Sequence, residues 1–112
     1  MHPIRYLQVE MKKTKLETYK DDHKFSIGTF IRMYNVNSIA AKRPEDDYYD
    51  YMIADVPGES KFKLITNVST GKTKGKSGYA LALVKTIENT NLVSAEALKF
   101  SIGVENIYIL EY

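Results

Sequence analysis

The stretch Lys61–Ile87, KFKLITNVSTGKTKGKSGYALALVKTI, decides how this chain is read, because two of its most apolar segments flank its most basic loop there. Phe62, Leu64, Thr66 and Val68 alternate with Lys61, Lys63 and Asn67 at the period of two that sets one face of a strand against a core. The reading therefore expects Phe62, Leu64, Thr66 and Val68 on the inner face. The loop Ser69–Gly78 holds three lysines and three glycines and no large apolar residue, so it reads as a solvated tip. Beyond it Tyr79, Leu81, Leu83 and Ile87 share one parity, and Ala80, Ala82, Val84 and Thr86 the other. A long hairpin follows, although Ser77–Glu88 is alanine-rich and long enough to form a helix instead.

The remaining segments are organised around that hairpin. Ile4–Met11 alternates and predicts a first strand, with Pro3 at its start where no ladder donor is needed. Lys12–Lys24 is polar apart from Leu16 and Tyr19 and is expected to be a loop. Phe25–Tyr34 alternates again and predicts a strand in which Gly28 marks a bulge or the close approach of another backbone. Asn35–Asn37 predicts a turn, and Ser38 an N-cap for one helical turn before Pro44. Tyr48–Val56 predicts a strand from its aromatic and β-branched content, closed by the turn pair Pro57-Gly58.

Ser94–Ile102 carries the signals of a helix. Ser94 suits the N-cap, Glu96 the first turn and Gly103 the left-handed C-terminal position. Ile107–Tyr112 predicts a closing strand, and as an unpaired edge it would allow a homodimer by strand addition. About five to six strands with one or two short helices give an α+β fold, a single domain over residues 1–112 on a mostly antiparallel sheet. A small OB-like β-barrel is the alternative.

Composition narrows the function classes. With 112 residues, 44% hydrophobic and 27% charged, the chain is expected to fold as one core without staples. It has no cysteine, which removes thiol catalysis, disulfides and thiolate metal sites. No apolar run reaches signal-peptide or membrane-span length, so the expected location is cytoplasmic, with no membrane partner. Net charge is only +2, yet the charges are segregated. Six acidic residues and no lysine or arginine fall between Glu45 and Glu59, and five lysines and no acid between Lys61 and Lys76.

Catalytic and cofactor signals are weak. Gly75-Lys76-Ser77 matches the end of a phosphate-binding P-loop, but the first glycine of that pattern would fall at Thr70. His2 and His23 have no neighbours at metal-ligand spacing, and neither a Ser-His-Asp arrangement nor a nucleophile elbow occurs. The expectation is a protein without catalysis, cofactor or metal.

Two surfaces invite binding readings. Glu45, Asp46, Asp47, Tyr48, Tyr49, Asp50 and Tyr51 combine clustered carboxylates with rigid amphipathic rings, residues suited to a protein interface. They point to a small inhibitor or neutraliser of a macromolecular partner, of the toxin-immunity or phage anti-defence type, the partner being a nuclease or nucleic-acid-binding protein. The alternative is a single-stranded nucleic-acid-binding domain using Lys61, Lys63, Lys72, Lys74, Lys76 and Tyr79.

Overall fold

A computed structural model describes residues 11–34, 48–68 and 80–111 of the chain. Six strands form one antiparallel sheet: β1 (Lys12–Lys15), β3 (Phe30–Tyr34), β4 (Tyr48–Val56), β5 (Glu59–Asn67), β6 (Ala80–Lys85) and β8 (Ile107–Glu111). Their order is β1-β8-β3-β4-β5-β6, while β2 (Lys24–Phe25) and β7 (Val93–Ser94) make a separate two-stranded ladder. A single 3-10 turn, Leu16–Thr18, and one helix, α1 (Ala95–Ile102), complete the described elements. The fold is α+β, with a mainly antiparallel sheet. Among the described residues that sheet is open, with β1 and β6 at its two edges, and they form no closed barrel.

The register explains which residues are inner. Tyr51 faces Asn67, Ile53 faces Ile65 and Lys63 faces Val84, while on the other side of β4 Ile31 faces Tyr51 and also Ile109. Directly paired residues share a face of an antiparallel sheet. This first face therefore carries Ile31, Tyr51, Ile53, Ile65, Val84, Ile107 and Ile109, all buried in one core. Leu16, Phe25, Val93, Ala95 and Leu98 close over it, so the described elements outside the sheet pack on this side.

Two sequence expectations are corrected here. Lys12–Lys24 is more than a loop, because Lys12–Lys15 pairs with Glu111–Tyr108 and Leu16 is fully buried. Its lysines are compatible with a strand since they are exposed and β1 is the terminal strand of the sheet among the described residues. The alternation of Phe25–Tyr34 is likewise split between two ladders. Gly28, at φ +93, breaks the strand, and its N–H donates to the Ile53 carbonyl at 2.8 Å, the close backbone approach its position signalled.

The third correction concerns the opening hairpin. Its inner face is Lys63, Ile65 and Asn67, and Phe62 is 36% exposed. Cross-strand pairing with Ile53 selects the parity of Ile65, and a one-residue change of parity moves every side chain to the opposite face. The Lys63 stem runs along the core and brings its ammonium to the carboxylate of Asp55 at 2.7 Å and the Asn91 side-chain oxygen at 3.4 Å.

Other elements follow the sequence signals closely. Tyr48–Val56 is β4, and Pro57-Gly58 turns the chain with Gly58 at φ +77, the positive value a type II turn needs after proline. Ala80–Lys85 is a strand, which removes the helical option for that part of Ser77–Glu88. Ser94 caps α1, its Oγ accepting from Ala97 N at 3.0 Å, and Gly103 ends it at φ +80. β8 lies between β1 and β3, so Ile107–Glu111 is an interior strand and cannot serve as the free edge expected from sequence. The expected strand Ile4–Met11 up to its last residue, the turn Asn35–Asn37 and the helical turn at Ser38 lie outside the described residues.

Candidate functional site

The register that buries the first face assigns a second set of side chains to the opposite face. It consists of Lys13 and Lys15 on β1, Tyr108 and Leu110 on β8, Phe30, Arg32 and Tyr34 on β3, and Tyr48, Asp50 and Met52 on β4. Leu64 and Leu83 continue it across β5 and β6. A sheet packed on one side tolerates polar residues on the other, and this face combines charged and aromatic side chains.

The middle of this face is a connected aromatic and cationic cluster. The Tyr34 ring meets Tyr48 at 5.6 Å and Tyr108 at 5.5 Å between centroids, both edge to face. Arg32 lies 3.8 Å over the centre of the Tyr48 ring and donates from Nε and Nη2 to both carboxylate oxygens of Asp50, at 2.7 and 2.9 Å. Lys13 donates from Nζ to the Tyr34 hydroxyl at 2.9 Å, with its charge 5.3 Å from that ring. The bidentate hydrogen bond to Asp50 holds Arg32 protonated well above its ordinary range, against the opposing effect of burial. Leu110, opposite both Phe30 and Lys13, is 7% exposed on this face and stands outside the main core.

The sequence-predicted residues are dispersed by this geometry. Of the acidic tyrosine segment, Tyr48 and Asp50 occupy the second face, whereas Tyr49 packs against the core and Tyr51 is buried within it at 4% exposure. Glu45, Asp46 and Asp47 lie outside the described residues. Of the lysine set, Lys61 is exposed but Lys63 is buried at 1% exposure, so its ammonium is an internal partner of Asp55. Lys72, Lys74, Lys76 and Tyr79, with the P-loop-like Gly75-Lys76-Ser77, lie outside the described residues. Sequence reasoning missed Lys13, Arg32, Tyr34 and Tyr108. The parity of Arg32 and Tyr34 against Ile31 and Met33 was visible, but the joining of β3 to β8 was not.

The other polar groupings serve the fold. Lys99 of α1 donates to the Tyr19 carbonyl at 2.6 Å and to Asp21 at 3.0 Å, and the carbonyls of Asp21 and His23 accept from Glu96 N and Ala95 N at the start of the helix. The His23 ring packs against Tyr19 and Phe25 at 4.7 and 4.8 Å. Tyr19 donates to Glu111 at 2.9 Å, and burial followed by that acceptor raises its pKa. No group of three or more His, Cys, Asp or Glu residues placed to hold a metal occurs among the described residues. No helix there is long and apolar enough to cross a membrane.

No known protein family, curated protein or solved structure matches this chain.

Proposed function

We propose that this protein is a non-catalytic binding module that engages single-stranded nucleic acid across the second face of its sheet. The observation that carries this reading is the contiguous Arg32-Tyr48-Tyr34-Tyr108 cluster with Lys13 at its margin. Tyrosine rings offer stacking surfaces to bases of any sequence, and lysine or arginine beside them neutralises the phosphates between those bases. Lys13, Lys15, Arg32 and Lys85 share the face with Asp50, and Asp50 is already held by Arg32. Among the described residues the local balance is cationic, even though the whole chain carries only +2.

The test is fluorescence anisotropy of labelled single-stranded DNA and RNA at about 50 and 200 mM salt, where phosphate contacts weaken. Binding that falls steeply with salt, and falls again in Tyr48→Ala and Tyr108→Ala, is the expected result. Absence of binding at the lower salt overturns the reading. Binding that ignores both tyrosines and depends on Lys72, Lys74 and Lys76 would transfer the site to the loop.

A second reading keeps a protein partner of the inhibitor or immunity type. It is favoured by the same three tyrosines, since Tyr and Arg dominate interface hot spots. Among the described residues its acidic component on this face is Asp50, with Tyr48 beside it. A partner captured by this face with little salt dependence would favour it over nucleic acid.

A further inference from the structure

The two edges of the sheet are built differently. β1 is Lys12-Lys13-Thr14-Lys15, and its three lysines are exposed, the arrangement that keeps an edge from recruiting another strand. β6, Ala80-Leu81-Ala82-Leu83-Val84-Lys85, has one charge, at its end. Among the described residues β6 pairs with β5 alone. Leu81 and Leu83 are 40% and 55% exposed, and Phe100 on the neighbouring helix α1 is 92% exposed.

The backbone of β6 specifies what such an edge accepts. Thr86 N donates inward to Lys61, whereas the Leu83 carbonyl points the other way and accepts from the Ser101 hydroxyl at 3.4 Å. That long contact uses one of two acceptor positions on the carbonyl, leaving the second available. A donor and acceptor at Leu83 and again at Lys85 call for an extended chain. The sequence of β6 fits itself. The β5–β6 ladder shifts register at Leu81, so the regular part of this edge is Ala82–Lys85. In an antiparallel pairing about a two-fold axis at Leu83, Leu83 meets Leu83 and Ala82 meets Val84, while each Lys85 lies beside the partner's bulged Leu81 segment, so no like charges are opposed. Parallel pairing in register would instead set Lys85 beside Lys85.

We infer that β6 is the seat of a two-fold homodimer in which the sheets of two copies join edge to edge. The interface is isologous: the same strand is used by both copies, and the assembly closes at two. Among the described strands, joining at β6 leaves β1, with its lysines, as the outer edge at both ends. It also runs the two second faces together, and it stands whether or not that face binds nucleic acid.

Sedimentation velocity on the full chain, without nucleic acid, reads the outcome. The expected result is a concentration-dependent dimer that Leu83→Lys converts to monomer, with unchanged circular dichroism. Leu83 is more than half exposed, so that substitution leaves the core intact. The absence of cysteine gives a second readout. Paired residues across such an axis have Cα atoms about 5.5 Å apart, within disulfide reach, so Leu83→Cys is expected to cross-link under mild oxidation faster than Glu105→Cys at an exposed site elsewhere. A chain that stays monomeric to about 1 mM overturns the proposal, taking the weakest affinity of practical interest as its bound. So does a dimer unaffected by Leu83→Lys, or equal cross-linking of the two cysteine variants.

Discussion

Arg32 and Asp50 are direct cross-strand partners on β3 and β4, and their side chains meet through two parallel hydrogen bonds of 2.7 and 2.9 Å. The pair is only partly solvated, with 14% and 23% of the two side chains exposed. It fixes the guanidinium plane over Tyr48, so one ion pair orients the centre of the second face. A double-mutant cycle with Arg32→Ala and Asp50→Ala is expected to give a coupling energy of about 1–2 kcal/mol in urea unfolding, at the scale of a hydrogen bond to a charged group. Arg32→Lys should recover little of it, because an ammonium makes neither the fork nor the flat stack. A coupling near zero would show that the pair contributes no rigidity.

The parity of β5 is open to a direct comparison. Ile65 is fully buried opposite Ile53, whereas Phe62 is 36% exposed opposite Lys85. Ile65→Ala is expected to destabilise the chain by about 2–5 kcal/mol, the range for removing a buried aliphatic side chain. Phe62→Ala should cost well under half of that. Equal losses in chemical denaturation would place both residues in the core.

Asp55 links the same strand pair to pH. The hydrogen bond from Lys63 is the main reason its carboxyl pKa lies below the ordinary value, and burial opposes that effect. A carboxyl whose pKa is lower in the folded chain binds its proton more readily in the unfolded one. Its contribution is thus complete above the unfolded value of about 4 and is lost as pH falls through the folded value. Asp55→Asn should therefore lower the melting temperature at pH 7 and flatten its decline in acid. It also leaves the buried Lys63 ammonium without its carboxylate, so Lys63→Met in the same chain is expected to return part of the loss. Parallel acid profiles for the wild type and Asp55→Asn would remove Asp55 from this role.

The ends of α1 can be separated. Ser94→Ala removes the acceptor for Ala97 N and is expected to cost about 1 kcal/mol, with Ser94→Asp nearly neutral. Gly103 sits at φ +80 and ψ −169, a region that side chains avoid, and Gly103→Ala should cost about 1–3 kcal/mol although open space surrounds the site. Thermal unfolding of the two variants decides whether local backbone geometry or packing controls this helix.

Local chemistry explains what was legible in the sequence. Tyr48–Val56, the Pro57-Gly58 turn and the cap residues of α1 each declare themselves within a few residues, and the structure has them where they were expected. The inner face of β5 was misread because Phe62 and Leu64 outnumber Ile65, and only the partner strands decide which parity is covered. Lys63 shows the same limit: a lysine reads as solvent-facing until an acceptor such as Asp55 is brought to it from another strand. The candidate site was hidden for a related reason. Arg32, Tyr48 and Tyr108 come from three strands, and the long-range pairing of β3 with β8 is what collects them.

The most direct test of the central claim is a nitrogen–proton NMR titration of the labelled protein with a short single-stranded oligonucleotide. The expected result is shift changes concentrated at Lys13, Arg32, Tyr34, Tyr48 and Tyr108, with the core residues Ile53 and Leu98 unmoved, and loss of those changes in Tyr48→Ala. Replacing one stacking tyrosine should weaken binding by about 1–3 kcal/mol, or roughly 5- to 150-fold. A spectrum unchanged at saturating oligonucleotide, or changes confined to residues away from the second face, would contradict it.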